Sequence, residues 1–158
     1  MAEPTQKESA ILIWRNTEDK TLWQLRDNNP AIEYPNHWGL FGGGVEANES
    51  PTEAMLRELK EELGLVPQLL WDLGDFTHPR WYLHCFLVEE PLNLKGVELN
   101  EGADFGLFTD EEVLSGSLTS PRFGNPFPLC PPLLEIFIKL KDRQFLRFPP
   151  PAVQISAE

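Results

Sequence analysis

The chain has 158 residues, 41% of them hydrophobic, with 13 Lys and Arg against 25 Asp and Glu and a formal net charge of -12. A chain this long is one domain's worth and buries roughly 70% of its unfolded surface without staples, so wholesale disorder is excluded. Its acidity repels a phosphodiester backbone and argues against binding a nucleic-acid polymer, while excess carboxylate suits oxygen ligation of divalent cations.

In chain order, residues 1–8 are polar and read as a flexible N-terminus, followed by a single domain over 9–147. Ala10 to Trp14 is an apolar run that predicts a buried strand, and Thr21 to Arg26 predicts a second. Residues 27–37 form a polar, proline-punctuated loop, and Gly42, Gly43 and Gly44 follow the apolar Trp38 to Phe41. Ser50-Pro-Thr-Glu53 is a capping box with proline at the first helical position, which predicts a helix from Thr52 to Leu63 stopped by Gly64. Gln68 to Asp72 and Trp81 to Val88 predict strands, the second central; Glu89 to Gly102 is a long loop, and Phe105 to Phe108 a short strand. Thr109 to Glu112 is a second possible capping box. Residues 115–132, with five prolines, read as an irregular loop, and Pro132 to Lys141 as a helix. Residues 148–158 form a proline-rich tail, expected to be extended or disordered. The pattern implies an α/β (α+β) fold.

Two cysteines, Cys85 and Cys130, are too few for a disulfide framework. Met1 to Ser9 shows no apolar signal core, and no run reaches the ~18 apolar residues of a membrane span. The expectation is a cytoplasmic protein that engages no membrane.

The chemistry concentrates in Gly43 to Leu65, GGVEANESPTEAMLRELKEELGL. At about 100° per residue, Glu61 and Glu62 fall about 60° to one side and about 40° to the other of Glu58, so three carboxylates share one arc. Met55, Leu59 and Leu63 form a neighbouring arc that faces the core. Like charges at these spacings cost a few tenths of a kcal/mol each in an isolated helix. A divalent cation relieves that cost; a solvated acidic face is the alternative.

This segment resembles the Nudix box, G-x5-E-x7-R-E-U-x-E-E-x-G-U with U aliphatic. Gly43, Glu49, Arg57, Glu58, Leu59, Glu61, Glu62, Gly64 and Leu65 fill it without departure. The lead-in Trp38-Gly-Leu-Phe-Gly-Gly43 is also similar, with Phe41 where proline is common. The resemblance implies an α/β/α sandwich with a mixed sheet. It implies metal ligation by Glu61 and Glu62, by Glu58 (ligand or general base), and by the carbonyl of Gly42. Arg57 would hold a glutamate by ion pairing, with Glu49 supporting. The implied cofactor is Mg²⁺, with Mn²⁺ as a possible substitute.

The implied reaction is hydrolysis of the pyrophosphate bond of a nucleoside diphosphate linked to another moiety. ADP-ribose or a nucleotide sugar, a dinucleoside polyphosphate and an oxidised (d)NTP are the candidate substrates. Tyr82, placed as in dinucleoside polyphosphate members, and Pro79, close to a proline of ADP-ribose members, give conflicting hints. Many members recruit a further loop carboxylate as ligand or base. Glu101 is the candidate here, with Glu98 and Asp104 as rivals. Arg26 is a candidate phosphate contact, Gly43 a close-approach position, and Phe123 and Phe127 candidate base-stacking residues, ahead of Trp81 and Tyr82. The chain is expected to act as a monomer or homodimer on a small nucleotide-derived substrate. The alternative is a catalytically silent nucleotide-sensing domain, which the intact box disfavours.

Overall fold

The computed structural model describes residues 6–144, 146 and 152–155. Its spine is the strand β1 (Lys7–Arg15), whose continuous apolar run is buried on both faces of a sheet. One edge of β1 pairs in parallel with β6 (Trp81–Glu89) along its whole length, Lys7 opposite Trp81 and Arg15 opposite Glu89. The other edge is shared. Its first half pairs with β4 (Phe41–Gly44), and its last residue with β2 (Thr21–Leu25). β2 continues to β3 (Trp38–Gly39) and β7 (Asp104–Phe108), while β6 pairs with β5 (Leu69–His78). Together with β10 (Ala152–Gln154) on β5, these strands make an eight-stranded mixed sheet.

Helix α1 (Pro51–Leu63) covers one face. The expected Ser50–Glu53 capping box and left-handed Gly64 stop are both present. Met55, Leu59 and Leu63 pack there with Ala10, Leu12, Phe41 and Phe86. The opposite face is covered by α3 (Pro131–Asp142) through Leu133, Ile136, Phe137 and Leu140. The result is the expected three-layer α/β/α arrangement. Among the described residues no helix is long and apolar enough to cross a membrane.

Several local expectations are corrected. β1 begins at Lys7, inside the stretch expected to be flexible, because the parallel partner β6 extends that far and Glu8 contacts His84 at 2.8 Å; residues 1–5 lie outside the described residues. The glycine run, given no element from sequence, is a strand, since β1 offers it an edge to pair with. Residues 115–132 are not patternless. After α2 (Asp110–Leu114), β8 (Ser117–Thr119) and β9 (Pro126–Pro128) form a hairpin. That hairpin docks on the fully buried Trp38, whose indole N–H donates to the Leu118 carbonyl at 2.9 Å. The proline-rich tail is extended where it is described, as one of the two expectations had it: Ala152–Gln154 pairs with Trp71–Leu69; residues 147–151 and 156–158 lie outside the described residues.

Candidate functional site

Three carboxylates from two elements meet at the edge of β4. Glu58 and Glu62 project from consecutive turns of α1, and Glu101 comes from the loop after β6; one oxygen from each lies within 4.8 Å of the others. Glu62 is 2% exposed, so at this position the acidic arc turns inward, against the alternative of a solvated face. Glu61, one residue earlier, points to solvent with 60% of its side chain exposed and stands outside the group.

Neither oxygen of Glu62 has a well-formed hydrogen-bond partner. Burial, then the Glu101 carboxyl beside it, then the charge of Glu58, push its pKa up to about 10; the nearby Gly42 N–H opposes this weakly, as a neighbour rather than a well-formed partner. A buried, unpartnered carboxylate facing two others is costly unless protonated or held against a cation. The donor set is all oxygen, which fits Mg²⁺ or Mn²⁺. Glu58, Glu62 and Glu101 are therefore the residues that would hold such an ion.

Arg57 frames the group from the other side. Its Nε and Nη2 donate to both oxygens of Glu49 at 2.7 and 3.0 Å, and Nη2 also donates to the Gly44 carbonyl at 3.0 Å. Its Nη1 donates to Glu58 at 2.9 Å and to Glu61 at 3.3 Å. The guanidinium, helped by the Glu46 N–H, holds the Glu49 carboxyl down at about 2. Glu49 thus keeps Arg57 in place, and Arg57 fixes the rotamer of Glu58.

The glycines make room. Gly42 has φ +149°, and a Cβ there would run into the Ala10 carbonyl; a Cβ on Gly43 would overlap the Glu58 carboxylate. Both glycines line a cleft of about 610 Å³, a volume typical of small-molecule sites, with Arg26 and Glu101 also on its walls. Arg26 is partly committed, since its Nε donates to the Glu33 carbonyl at 2.8 Å. Phe123 and Phe127 do not line this cleft. Phe123 is exposed with the Arg122 guanidinium 5.1 Å from its ring, and Phe127 packs on the core from β9. The rivals to Glu101 are also elsewhere: Asp104 is buried and accepts from Ser120 and the Arg122 amide, and Glu98 is outside the carboxylate group.

Two polar residues unsuspected from sequence hold Glu101 in place. Asn100 donates through its backbone to the Glu62 carbonyl at 2.9 Å and through its side chain to the Glu61 carbonyl at 3.1 Å. It thereby caps the C-terminal end of α1 and ties the loop to the helix. Gln24, 5% exposed, donates to the Glu101 carbonyl at 2.7 Å. No local pattern marks either, because both contacts are long-range.

Comparisons with known proteins identify the family. The NUDIX domain family model matches residues 5–123. The chain belongs to the Nudix family. An RNA pyrophosphohydrolase of Halorhodospira halophila is 45% identical over 63 residues, 40% of this chain and 32% of that protein. An ADP-ribose pyrophosphatase of Methanocaldococcus jannaschii is 40% identical over 89 residues, 55% of this chain and 51% of that protein. The matches thus span a third to a half of these relatives' length. The same fold is found in a MutT protein from Methanosarcina mazei Go1 (TM-score 0.66, 20% identity, 91% of this chain and 99% of that one). It is found again in the NUDIX domain of Shewanella oneidensis NrtR, solved with ADP ribose (TM-score 0.67, 19% identity, 90% and 93%).

Two outcomes follow from this geometry. In metal-free protein Glu62 binds a proton between about pH 4.5 and 10, where its unfolded counterpart does not, so this group lowers stability steadily as pH rises through that window. Thermal melts in EDTA at pH 6 and 9 are expected to show a larger loss for wild type than for Glu62→Gln; parallel losses contradict the assignment. Asn100→Ala is expected to raise the Mg²⁺ concentration for half-maximal thermal stabilisation by about 10-fold, as for other supports behind metal ligands. An unchanged Mg²⁺ midpoint shows that Asn100 does not position the site.

Proposed function

We propose that this protein is a Mg²⁺-dependent pyrophosphohydrolase acting on a nucleoside diphosphate linked to another moiety. The observation that carries the reading is the buried, unpartnered Glu62 carboxylate meeting Glu58 and Glu101, the last of which also lines a cleft. The family and the pyrophosphohydrolases among its relatives support it.

A divalent cation in such a site screens the charge of the diphosphate and lowers the pKa of bound water. The chain's own residues supply the rest. Glu58 and Glu62 would hold the ion from the rigid helix, so their geometry is set before substrate arrives. Arg57 denies Glu58 other rotamers. Glu101 is in no ion pair among the described residues, and is the carboxylate freest to take the proton of the attacking water. The bare peptide backbone of Gly42 and Gly43 lets phosphate oxygens approach closely, and Arg26 supplies a positive wall.

The test is a panel of ADP-ribose, nucleotide sugars, dinucleoside polyphosphates and oxidised and ordinary (d)NTPs with Mg²⁺. At least one is expected to turn over. Glu62→Gln is expected to lower kcat on that substrate by two or more orders of magnitude, with circular dichroism unchanged. Normal turnover by Glu62→Gln contradicts the site assignment. Nucleotide binding without turnover of any compound favours a sensing domain.

A further inference from the structure

Glu101 meets the two helix carboxylates from an exposed loop, and no lysine or arginine among the described residues pairs with its side chain. Its place is therefore set by its backbone, and that backbone is fixed at successive residues. The Glu101 carbonyl accepts from Gln24, and the Ala103 N–H donates to the Leu25 carbonyl at 2.8 Å, both on β2. Between them Gly102 is left-handed, with φ +96°, and a Cβ there would stand 2.8 Å from the Gln24 side chain.

The β8–β9 hairpin holds the same loop from its other end. Asp104 is 6% exposed and Ser120 is fully buried. The Ser120 hydroxyl donates to Asp104 Oδ2 at 2.5 Å and accepts from the Phe123 N–H at 3.0 Å. The Arg122 N–H donates to the same Asp104 oxygen at 3.0 Å, and its Nη1 donates to the Ala103 carbonyl at 3.1 Å. The turn of the hairpin thus grips two consecutive residues of the loop, Ala103 and Asp104. Burying a carboxyl against neutral donors costs desolvation that turn formation does not require, since a solvated Asp, Asn or Ser closes a turn equally well. The cost has a function if the hairpin, docked on Trp38, must keep a fixed position relative to Glu101.

We infer that Asp104 is a positioning residue for the candidate metal group: latched to Ser120 and Arg122, it fixes the backbone from which Glu101 reaches Glu58 and Glu62. The inference rests on the reading of those three carboxylates as a cation site, and extends the site to a hairpin that forms a sheet of its own. Asp104 stands outside the carboxylate group and acts through Glu101. A misplacement of about 1 Å in a reacting group can cost roughly 100-fold in rate, so such a latch matters to the chemistry without touching it.

Thermal melts of the full chain across Mg²⁺ concentrations test the latch without turnover. Asp104→Ala is expected to raise the Mg²⁺ concentration for half-maximal stabilisation by about 10-fold. Asp104→Asn, whose amide oxygen accepts the same two hydrogen bonds, is expected to stay within about 2-fold of wild type. Arg122→Ala, a surface change that leaves the buried pair in place, is expected to raise the midpoint in the same direction, and decides alone if Asp104→Ala does not fold. In a Glu101→Gln background neither alanine variant is expected to raise the midpoint further, because both act through Glu101. Lower melting temperatures with an unchanged Mg²⁺ midpoint assign these residues to stability alone and overturn the inference. So does an equal further rise in the Glu101→Gln background, or a loss in Asp104→Asn as large as that in Asp104→Ala. A wild type that Mg²⁺ does not stabilise removes the cation site itself, and this inference with it.

Discussion

Three carboxylates held within 4.8 Å of one another are a charge problem that the protein builds on purpose. Two unit charges about 4 Å apart repel by roughly 4 kcal/mol at an effective dielectric near 20. Glu62 adds the desolvation of a side chain 2% exposed. No lysine or arginine among the described residues pairs with Glu62 or Glu101. The fold tolerates the arrangement because α1 is anchored by its apolar face, its capping box and its left-handed stop. The helix spends packing stability to hold an acidic group that is satisfied only by a proton or a cation.

The neighbouring structure supports that one cluster. Arg57 is bound by Glu49 and Gly44 on one side and holds Glu58 on the other, so its positive charge orients one carboxylate without neutralising the group. Asn100 and Gln24 bring the loop carboxylate to the helix carboxylates from opposite directions. Gly42 and Gly43 let a β-strand pass where any side chain would collide with Ala10 or Glu58. Strand pairing, helix capping and loop closure thus converge on a site about one ion across, beside a cleft lined by Gly42, Gly43, Arg26 and Glu101.

Much of this was legible in the sequence because the signals are local. The capping box, the stop at Gly64 and the apolar arc of α1 are set by residues three or four apart, and each appears as expected. The box fixed the family and the acidic helix turn. What local spacing could not show was depth. On a helical wheel Glu61 and Glu62 look equivalent, yet one is solvated and the other buried, because only the sheet and the Glu101 loop decide which side is inside. Asn100, Gln24 and the Trp38-docked hairpin were missed for the same reason, since their contacts join segments tens of residues apart. Phe123 is exposed, as its loop context suggests, but it lies outside the cleft, and Phe127 packs on the core instead. Burial at strand ends is a property of the assembled sheet.

The most direct measurement is the anomalous difference map of a crystal grown with Mn²⁺. A peak ligated by Glu58, Glu62 and Glu101, with Glu61 outside its first coordination sphere, is the result expected here. A peak on Glu61 and away from Glu62, or no peak in this group at saturating Mn²⁺, contradicts the reading of the buried carboxylates as a metal centre.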